Sequence, residues 1–156
     1  MLILFDLDGT LITSYMDLPD RDYHVWQVLP GRRERLAQLR AAGHRLGIAT
    51  NQAGVAFGHI SEDDVRRKIA AVLRALELPA DTPVEICFGH PHARVLSYRS
   101  PDQIACRKPS GAMLRELIAA FPQAAAEGVI YVGDRPDDVG AARDAGVTFV
   151  PAATFF

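Results

Sequence analysis

The chain has 156 residues, 49% hydrophobic and 23% charged, the balance of an ordinary globular protein. That length predicts one domain over 1–156 with a sizeable core. A net charge of −2 gives no global basic field, which weighs against a dedicated nucleic-acid scaffold while leaving room for a local basic groove. No apolar run approaches the roughly 20 residues that cross a bilayer, so no membrane partner is expected. Met1 to Phe5 is apolar but short, lacks a basic flank and runs into Asp6 and Asp8, unlike a signal peptide. Two cysteines, Cys87 and Cys106, make no disulfide framework. The expected setting is cytoplasmic and reducing, where free thiols or a metal are the natural fates of cysteine.

Short apolar runs then alternate with helical patterns. Leu2 to Phe5 reads as a buried strand ending in a turn. Arg32 to Ala42 reads as a helix stopped by Gly43. Leu46 to Ala49 is a second strand. Ser61 to Leu76 is a helix: Ser61 and Asp64 have capping-box spacing, and Val65, Ile69, Val72, Leu73 and Leu76 share a face. Val84 to Cys87 is a third strand. Ser110 is positioned to cap a helix carrying Met113, Leu114, Leu117, Ile118 and Phe121. Val129 to Val132 is a fourth strand, Pro136 to Ala145 a short helix stopped by Gly146, and Val147 to Val150 a fifth strand. This alternation predicts an α/β fold, a parallel sheet with helices on both faces. Ligands in such folds bind at the carboxyl ends of the strands.

Polar residues cluster at those ends. Asp6-Leu7-Asp8-Gly9-Thr10 follows the first strand, Thr50-Asn51-Gln52 the second, and Gly133-Asp134-Arg135-Pro136-Asp137-Asp138 the fourth. Arg107-Lys108-Pro109 sits just before a helix. If the first and fourth strands are neighbours, Asp6, Asp8 and Asp134 converge. Carboxylates that close repel unless a cation lies among them. Hard oxygen ligands in that number suit magnesium shared with a substrate phosphate. Lys108 and Thr50 would offer a positive charge and a hydroxyl donor to phosphate oxygens, and a carboxylate can act as nucleophile. Each piece alone has an ordinary explanation as a solvated turn, a loop or a surface lysine. Their joint occurrence, in order and at element ends, does not.

On these motifs the sequence resembles the haloacid-dehalogenase-like (HAD) hydrolases over nearly its whole length. The resemblance implies a three-layer Rossmann-like fold and a magnesium-dependent phosphatase working through an aspartyl-phosphate. It implies Asp6 as nucleophile and Asp8 as general acid and then base. It implies magnesium ligation by Asp6, the Asp8 backbone carbonyl and Asp134, with Asp138 as the second acid of that motif, orienting metal-bound water. Thr50, Asn51, Lys108 and Arg107 are the expected substrate-phosphate contacts. The stretches from Thr10 to Pro30 and from Gln52 to Arg107 are too short for a cap domain, which predicts a capless chain with a flap around Leu11 to Tyr23.

Ala49 to Gly54 and Cys106 to Pro109 resemble the capless histidinol-phosphate and D,D-heptose 1,7-bisphosphate phosphatases, and Phe5 to Thr13 the polynucleotide 3′-phosphatase domains. The expected substrate is a small phosphorylated metabolite, with a nucleic-acid 3′-end as the alternative and a non-catalytic phospho-ligand-binding module as an alternative of another class. No Gly-x-x-x-x-Gly-Lys-Ser/Thr loop is present. The sugar and histidinol enzymes often hold structural zinc before the lysine motif. Here Cys87 and Cys106 match that pattern, Gly89 and Ile104 depart from it, and His90 and His92 offer a substitute Cys2His2 set. The unusual spacing favours two free thiols and two exposed histidines. Arg32, Arg33, Arg35, Arg40 and Arg45 read as a solvated helix face. Arg94, Tyr98 and Arg99 lie in the loop before the lysine motif, within reach of a second anionic group or a stacked base; Tyr23 and Trp26 are equally suited to stack on substrate or to pack the flap down, and His24 and His59 read as solvated loop histidines.

Overall fold

The computed structural model describes all 156 residues. Five strands, β1 (Leu2–Phe5), β2 (Arg45–Asn51), β3 (Val84–Cys87), β4 (Val129–Gly133) and β5 (Thr148–Pro151), form one parallel sheet in the order β3-β2-β1-β4-β5. Seven helices connect and flank them: α1 (Arg32–Ala41), α2 (Glu62–Ala75), α3 (Pro101–Ile104), α4 (Ala112–Ala120), α5 (Pro122–Ala126), α6 (Pro136–Ala145) and α7 (Ala152–Phe155). The expected three-layer α/β architecture is therefore present.

Strand alternation sorts the core into two layers. Ile3 and Phe5 point to one face, with Leu36 and Leu39 of α1 and Val65, Ile69, Val72 and Leu73 of α2. Leu2 and Leu4 point to the other, with Met113, Leu114 and Leu117 of α4 and Ala141 and Ala142 of α6. β1 is buried on both faces, which is why its sequence is a continuous apolar run. Because β2 lies on one side of β1 and β4 on the other, the strand order reverses at β1, opening a crevice at its carboxyl end.

Most helix ends follow local chemistry. The Ser61 hydroxyl accepts from Asp64 N and starts α2, and Gly146, at φ +71, stops α6. At α4 the cap position is Gly111 rather than Ser110; the Ser110 hydroxyl accepts from Ala112 N at 3.2 Å. Helices α3, α5 and α7, of four or five residues each, were not expected from the sequence. Segments that short carry no helical periodicity.

No cap interrupts the connections. Between β2 and β3 stands only α2, and between β1 and α1 only a 3-10 turn at Tyr15–Asp17. The flap is longer than expected, because its base is closed by an Ile12–Val28 bridge and by Thr13, whose N–H donates to Gln27 O and whose hydroxyl accepts from Gln27 N.

Cys87 and Cys106 are joined as a disulfide, which corrects the expectation of free thiols. The turn after α3 folds back onto the end of β3 and brings their Cα atoms within 5.6 Å. Zinc requires thiolates, so sulfurs bonded to each other are withdrawn from the Cys2His2 set. His90 Nδ1 accepts from His92 N and its ring packs on Phe57, so neither feature joins the histidines to the sulfurs.

Candidate active site

The polar segments meet in the crevice at the β1–β4 junction. Asp6 leaves β1 with its N–H bonded to Val132 O, and the residue is only 5% exposed. Lys108 reaches it from the loop before α4, Nζ to Asp6 Oδ1 at 2.7 Å. The same ammonium donates to Asp138 Oδ1 at 2.7 Å, Tyr131 Oη at 2.9 Å and Ala49 O at 3.2 Å. Asp138 is fully occupied as an acceptor: Oδ1 takes Lys108 and the Tyr131 hydroxyl at 2.9 Å, and Oδ2 takes the N–H groups of Asp134 and Arg135 at 3.1 Å each. This lattice holds a buried charged trio without an unpaired member, the condition under which buried charges are tolerated.

Asp6, Asp134 and Asp138 bring carboxylate oxygens within 4.8 Å of one another. The Thr10 hydroxyl lies 3.4 Å from both Asp6 Oδ2 and Asp134 Oδ1. Gly9 makes the approach possible: its φ is +85, and a Cβ there would run into the Asp134 carboxylate. The Asp8 carboxylate stands apart from this cluster. Its Oδ2 accepts from Gln52 Nε2 at 2.7 Å, and its Oδ1 lies 3.7 Å from Lys68 Nζ.

Thr50 is 1% exposed, and its hydroxyl accepts from Gln52 Nε2 at 2.9 Å, which leaves its proton free to donate. Asn51 clamps the lysine loop, with Nδ2 donating to Lys108 O at 3.2 Å and Oδ1 accepting from Lys108 N at 3.0 Å. Arg107 is half-buried, and its Nη1 is buried without any partner. Burial holds its guanidinium below its ordinary pKa, with Arg135 nearby adding to the effect and Asp137 opposing it. A cavity of about 220 Å³ lies under the flap, with Asp6, Asp8, Asn51, Arg107 and Lys108 on its lining and Tyr15, Met16 and Tyr23 contributed by the flap.

Several loop residues lie outside that lining. Tyr98 donates its hydroxyl to Glu62, Arg99 bonds Pro91 O, and His24 pairs with Asp22 and Asp64. His59 stacks on Tyr23, and Trp26 packs against the core. Of the arginine-rich helix, Arg32 donates to Thr10 O at 2.9 Å and sits over Phe156, while Arg35 sits over Phe155. Sequence reasoning passed over Tyr131 and Lys68. Tyr131 is indistinguishable from a core aromatic in its strand, whereas Lys68 carries a signal: it shares the inward helical spacing of Val65, Ile69 and Val72.

Burial pushes the Asp6 carboxyl up to about 8 from 3.8, opposed by Lys108 and reinforced by Asp138. Asp134 is also raised, chiefly by burial. A carboxyl raised on folding binds its proton more tightly in the folded state. The stability this confers is complete below the unfolded value and is lost as pH rises through the folded one. The metal-free protein is therefore expected to melt at lower temperature at pH 8 than at pH 6. Lys108, raised by its two carboxylates against the effect of burial, changes only in strong alkali. Binding of a cation by ionised carboxylates reverses the trend, so magnesium should raise the melting temperature more at pH 8 than at pH 6. Melting curves in EDTA and in magnesium at both pH values test this; equal shifts would refute it.

A carboxylate cluster with a buried lysine, at the switch point of a capless three-layer α/β fold, defines a phosphatase of the haloacid-dehalogenase-like superfamily. The model of the family described as polynucleotide kinase 3 phosphatase matches residues 1–148, and the chain belongs to that family. It is 34% identical over 146 residues to a D-glycero-beta-D-manno-heptose-1,7-bisphosphate 7-phosphatase of Rhodopseudomonas palustris, covering 91% of this chain and 77% of that one. The namesake from Pseudomonas putida is 35% identical, with 93% and 78% covered. The crystal structure of D,D-heptose 1,7-bisphosphate phosphatase from B. bronchiseptica, complexed with magnesium and phosphate, superposes with a TM-score of 0.71 at 30% identity, covering 96% of this chain and 78% of that chain.

Proposed function

We propose that this phosphatase hydrolyses a small phosphorylated metabolite of the sugar-bisphosphate type, through an aspartyl-phosphate on Asp6 and with magnesium. The observation that carries this reading is the Asp6 carboxylate, held through Oδ1 by Lys108 on the lining of a cavity that Asp8 also lines. Its Oδ2 then attacks phosphorus in line while Asp8 passes a proton to the departing ester oxygen. In the second half Asp8 takes a proton from water, whose oxygen displaces Asp6 and releases phosphate. Lys108 offsets the charge on the phosphoryl oxygens, Thr50 donates its hydroxyl proton to one of them, and Asn51 keeps the lysine loop in place.

The donor set fits magnesium: Asp6 and Asp134 offer hard oxygens with acceptor capacity to spare, and the Asp8 carbonyl completes the protein share. Asp138 has its acceptor positions filled and acts by fixing Lys108 and the Asp134 backbone. When bound, the ion would supply further neutralisation of phosphate charge. Arg107 is the residue best placed for substrate recognition, since a buried guanidinium N–H without a partner is costly until an anion meets it. A cavity of this size under a flap suits a small substrate more than a polymer, although the family description keeps the nucleic-acid reading as the alternative.

The test is phosphate release, with magnesium and with EDTA, from a sugar 1,7-bisphosphate and from a 3′-phosphorylated oligonucleotide. Magnesium-dependent preference for the sugar is expected. Preference for the oligonucleotide would overturn the substrate class, and turnover unaffected by EDTA would overturn the role of the metal.

A further inference from the structure

Lys68 is the ionisable residue whose position calls for a reason beyond the groups already named. It belongs to the inward face of α2, between Val65 and Val72 and next to Ile69, where helical spacing asks for an apolar side chain. Its side chain is only 8% exposed. Burying an ammonium is costly unless it is well paired, and its pairing is sparse. Nζ donates to the backbone carbonyl of Tyr23 at 3.1 Å and lies 3.7 Å from Asp8 Oδ1. It also borders the active-site cavity.

Each of these contacts has a distinct consequence. Tyr23 belongs to the flap, where its ring is sandwiched between Tyr15 at 4.0 Å and His59 at 5.3 Å. The bond from Lys68 to the Tyr23 carbonyl therefore fastens the flap to α2. The Asp8 carboxylate is flanked on two sides, by the Gln52 amide at Oδ2 and the Lys68 ammonium at Oδ1. A carboxylate on a single rotatable stem, hydrogen-bonded at one oxygen and attracted by an ammonium at the other, keeps its plane and its reach. Proton delivery to a leaving oxygen depends on that placement, because the transfer works only within hydrogen-bond reach.

We propose that Lys68 is a positioning residue: it holds Asp8 aligned with the leaving-group oxygen and ties that alignment to the closed flap through the Tyr23 carbonyl. The inference rests on the reading of Asp8 as the acid. It predicts a defect that depends on the leaving group. An alkyl or sugar phosphate needs a proton on its departing oxygen, whereas p-nitrophenyl phosphate releases nitrophenolate, a stabilised anion that needs little help.

The experiment compares Lys68→Met, Lys68→Arg and Asp8→Asn on a sugar phosphate and on p-nitrophenyl phosphate by the rate of leaving-group release in the first turnover, before the water step that also uses Asp8, with melting curves for each variant. Lys68→Met keeps the length and buries well. It should lower first-turnover release from the sugar phosphate by about 10- to 100-fold, within the range that a positioned acid contributes. On p-nitrophenyl phosphate that first-turnover release should slow less than about threefold, and KM should move little on either. Lys68→Arg should recover most of the loss by restoring a donor to the Tyr23 carbonyl and a positive charge beside Asp8. Equal losses on the two substrates would show a general structural defect and overturn the proposal. A rise in KM with kcat unchanged would make Lys68 a substrate-binding residue and overturn it as well. If Lys68→Met fails to fold, Lys68→Arg with full discrimination against the sugar phosphate decides against it. Asp8→Asn separates the two levels: if it discriminates between the substrates and Lys68→Met does not, the acid assignment stands and the positioning role falls. If neither discriminates, both fall.

Discussion

Asp6→Asn should lower turnover by at least about 10⁴-fold, the scale on which loss of a nucleophile is felt. The fold should survive the change. The amide is nearly the size of the carboxyl, and Lys108 keeps Asp138, the Tyr131 hydroxyl and the Ala49 carbonyl as acceptors. Because burial already pushes the Asp6 carboxyl up to about 8, a neutral side chain relieves part of the cost of ionising it there. The variant is therefore expected to melt no lower than the parent at pH 8 in EDTA, while losing most of the stabilisation that magnesium gives the parent. Phosphate release and paired melting curves check both halves. Retention of more than about 1% of parental turnover would exclude Asp6 as the attacking group, since a covalent step has no partial substitute in an amide.

Asp138→Asn carries the second large effect, and it falls on stability as well as rate. The native carboxylate accepts four hydrogen bonds, and it sits 1% exposed. An amide in its place has one oxygen and an NH2 group. Whichever way it turns, hydrogen atoms face either the Lys108 ammonium and the Tyr131 hydroxyl or the two backbone N–H groups of the β4–α6 turn. Losing two of these four buried acceptor contacts, with hydrogen atoms turned toward the donors left behind, costs about 3 kcal/mol. For a chain of this size that is a fall in melting temperature of about 10 °C. Activity should fall too, because Lys108 loses the contact that fixes it above Asp6, and the Asp134 backbone loses its anchor. Asp144→Asn, an exposed carboxylate that bonds Gly111 N and Arg115, serves as a comparison with a small expected effect. A stable Asp138→Asn protein with parental kcat would show that the lattice around Lys108 does not support catalysis.

Both effects arise from a site whose residues are far apart in the chain. Lys108 and Asp6 are 102 positions apart, and Lys108 and Asp138 are 30 apart. The sequence nevertheless indicated most of them. An apolar run such as Leu2 to Phe5 has to be a strand buried on both faces. Alternating strands and helices place ligands at strand ends, so Asp6, Thr50 and Asp134 are legible as site residues from the sequence alone. The bounds of β1, β3 and α6 follow from local signals: apolar runs ended by turn residues, Pro136 at a helix start and Gly146 at its end.

What only the tertiary structure decided is how these groups share their hydrogen bonds. The sequence pattern placed Asn51 and Asp138 at the site but did not distinguish a side chain free to meet substrate from one already occupied. Asn51 turns out to clamp the Lys108 backbone, and Asp138 to accept from four donors. The sequence also allowed Cys87 and Cys106 to be separate thiols, because nothing local reveals that the turn after α3 returns to the end of β3. Lys68 lay hidden for the same reason. Its partners, Asp8 and the Tyr23 carbonyl, come from β1's following loop and from the flap, and they meet only when α2 packs on the sheet. Periodicity and motif chemistry are local and travel with the chain; pairing among side chains depends on strand order and loop return, which the packed core alone determines.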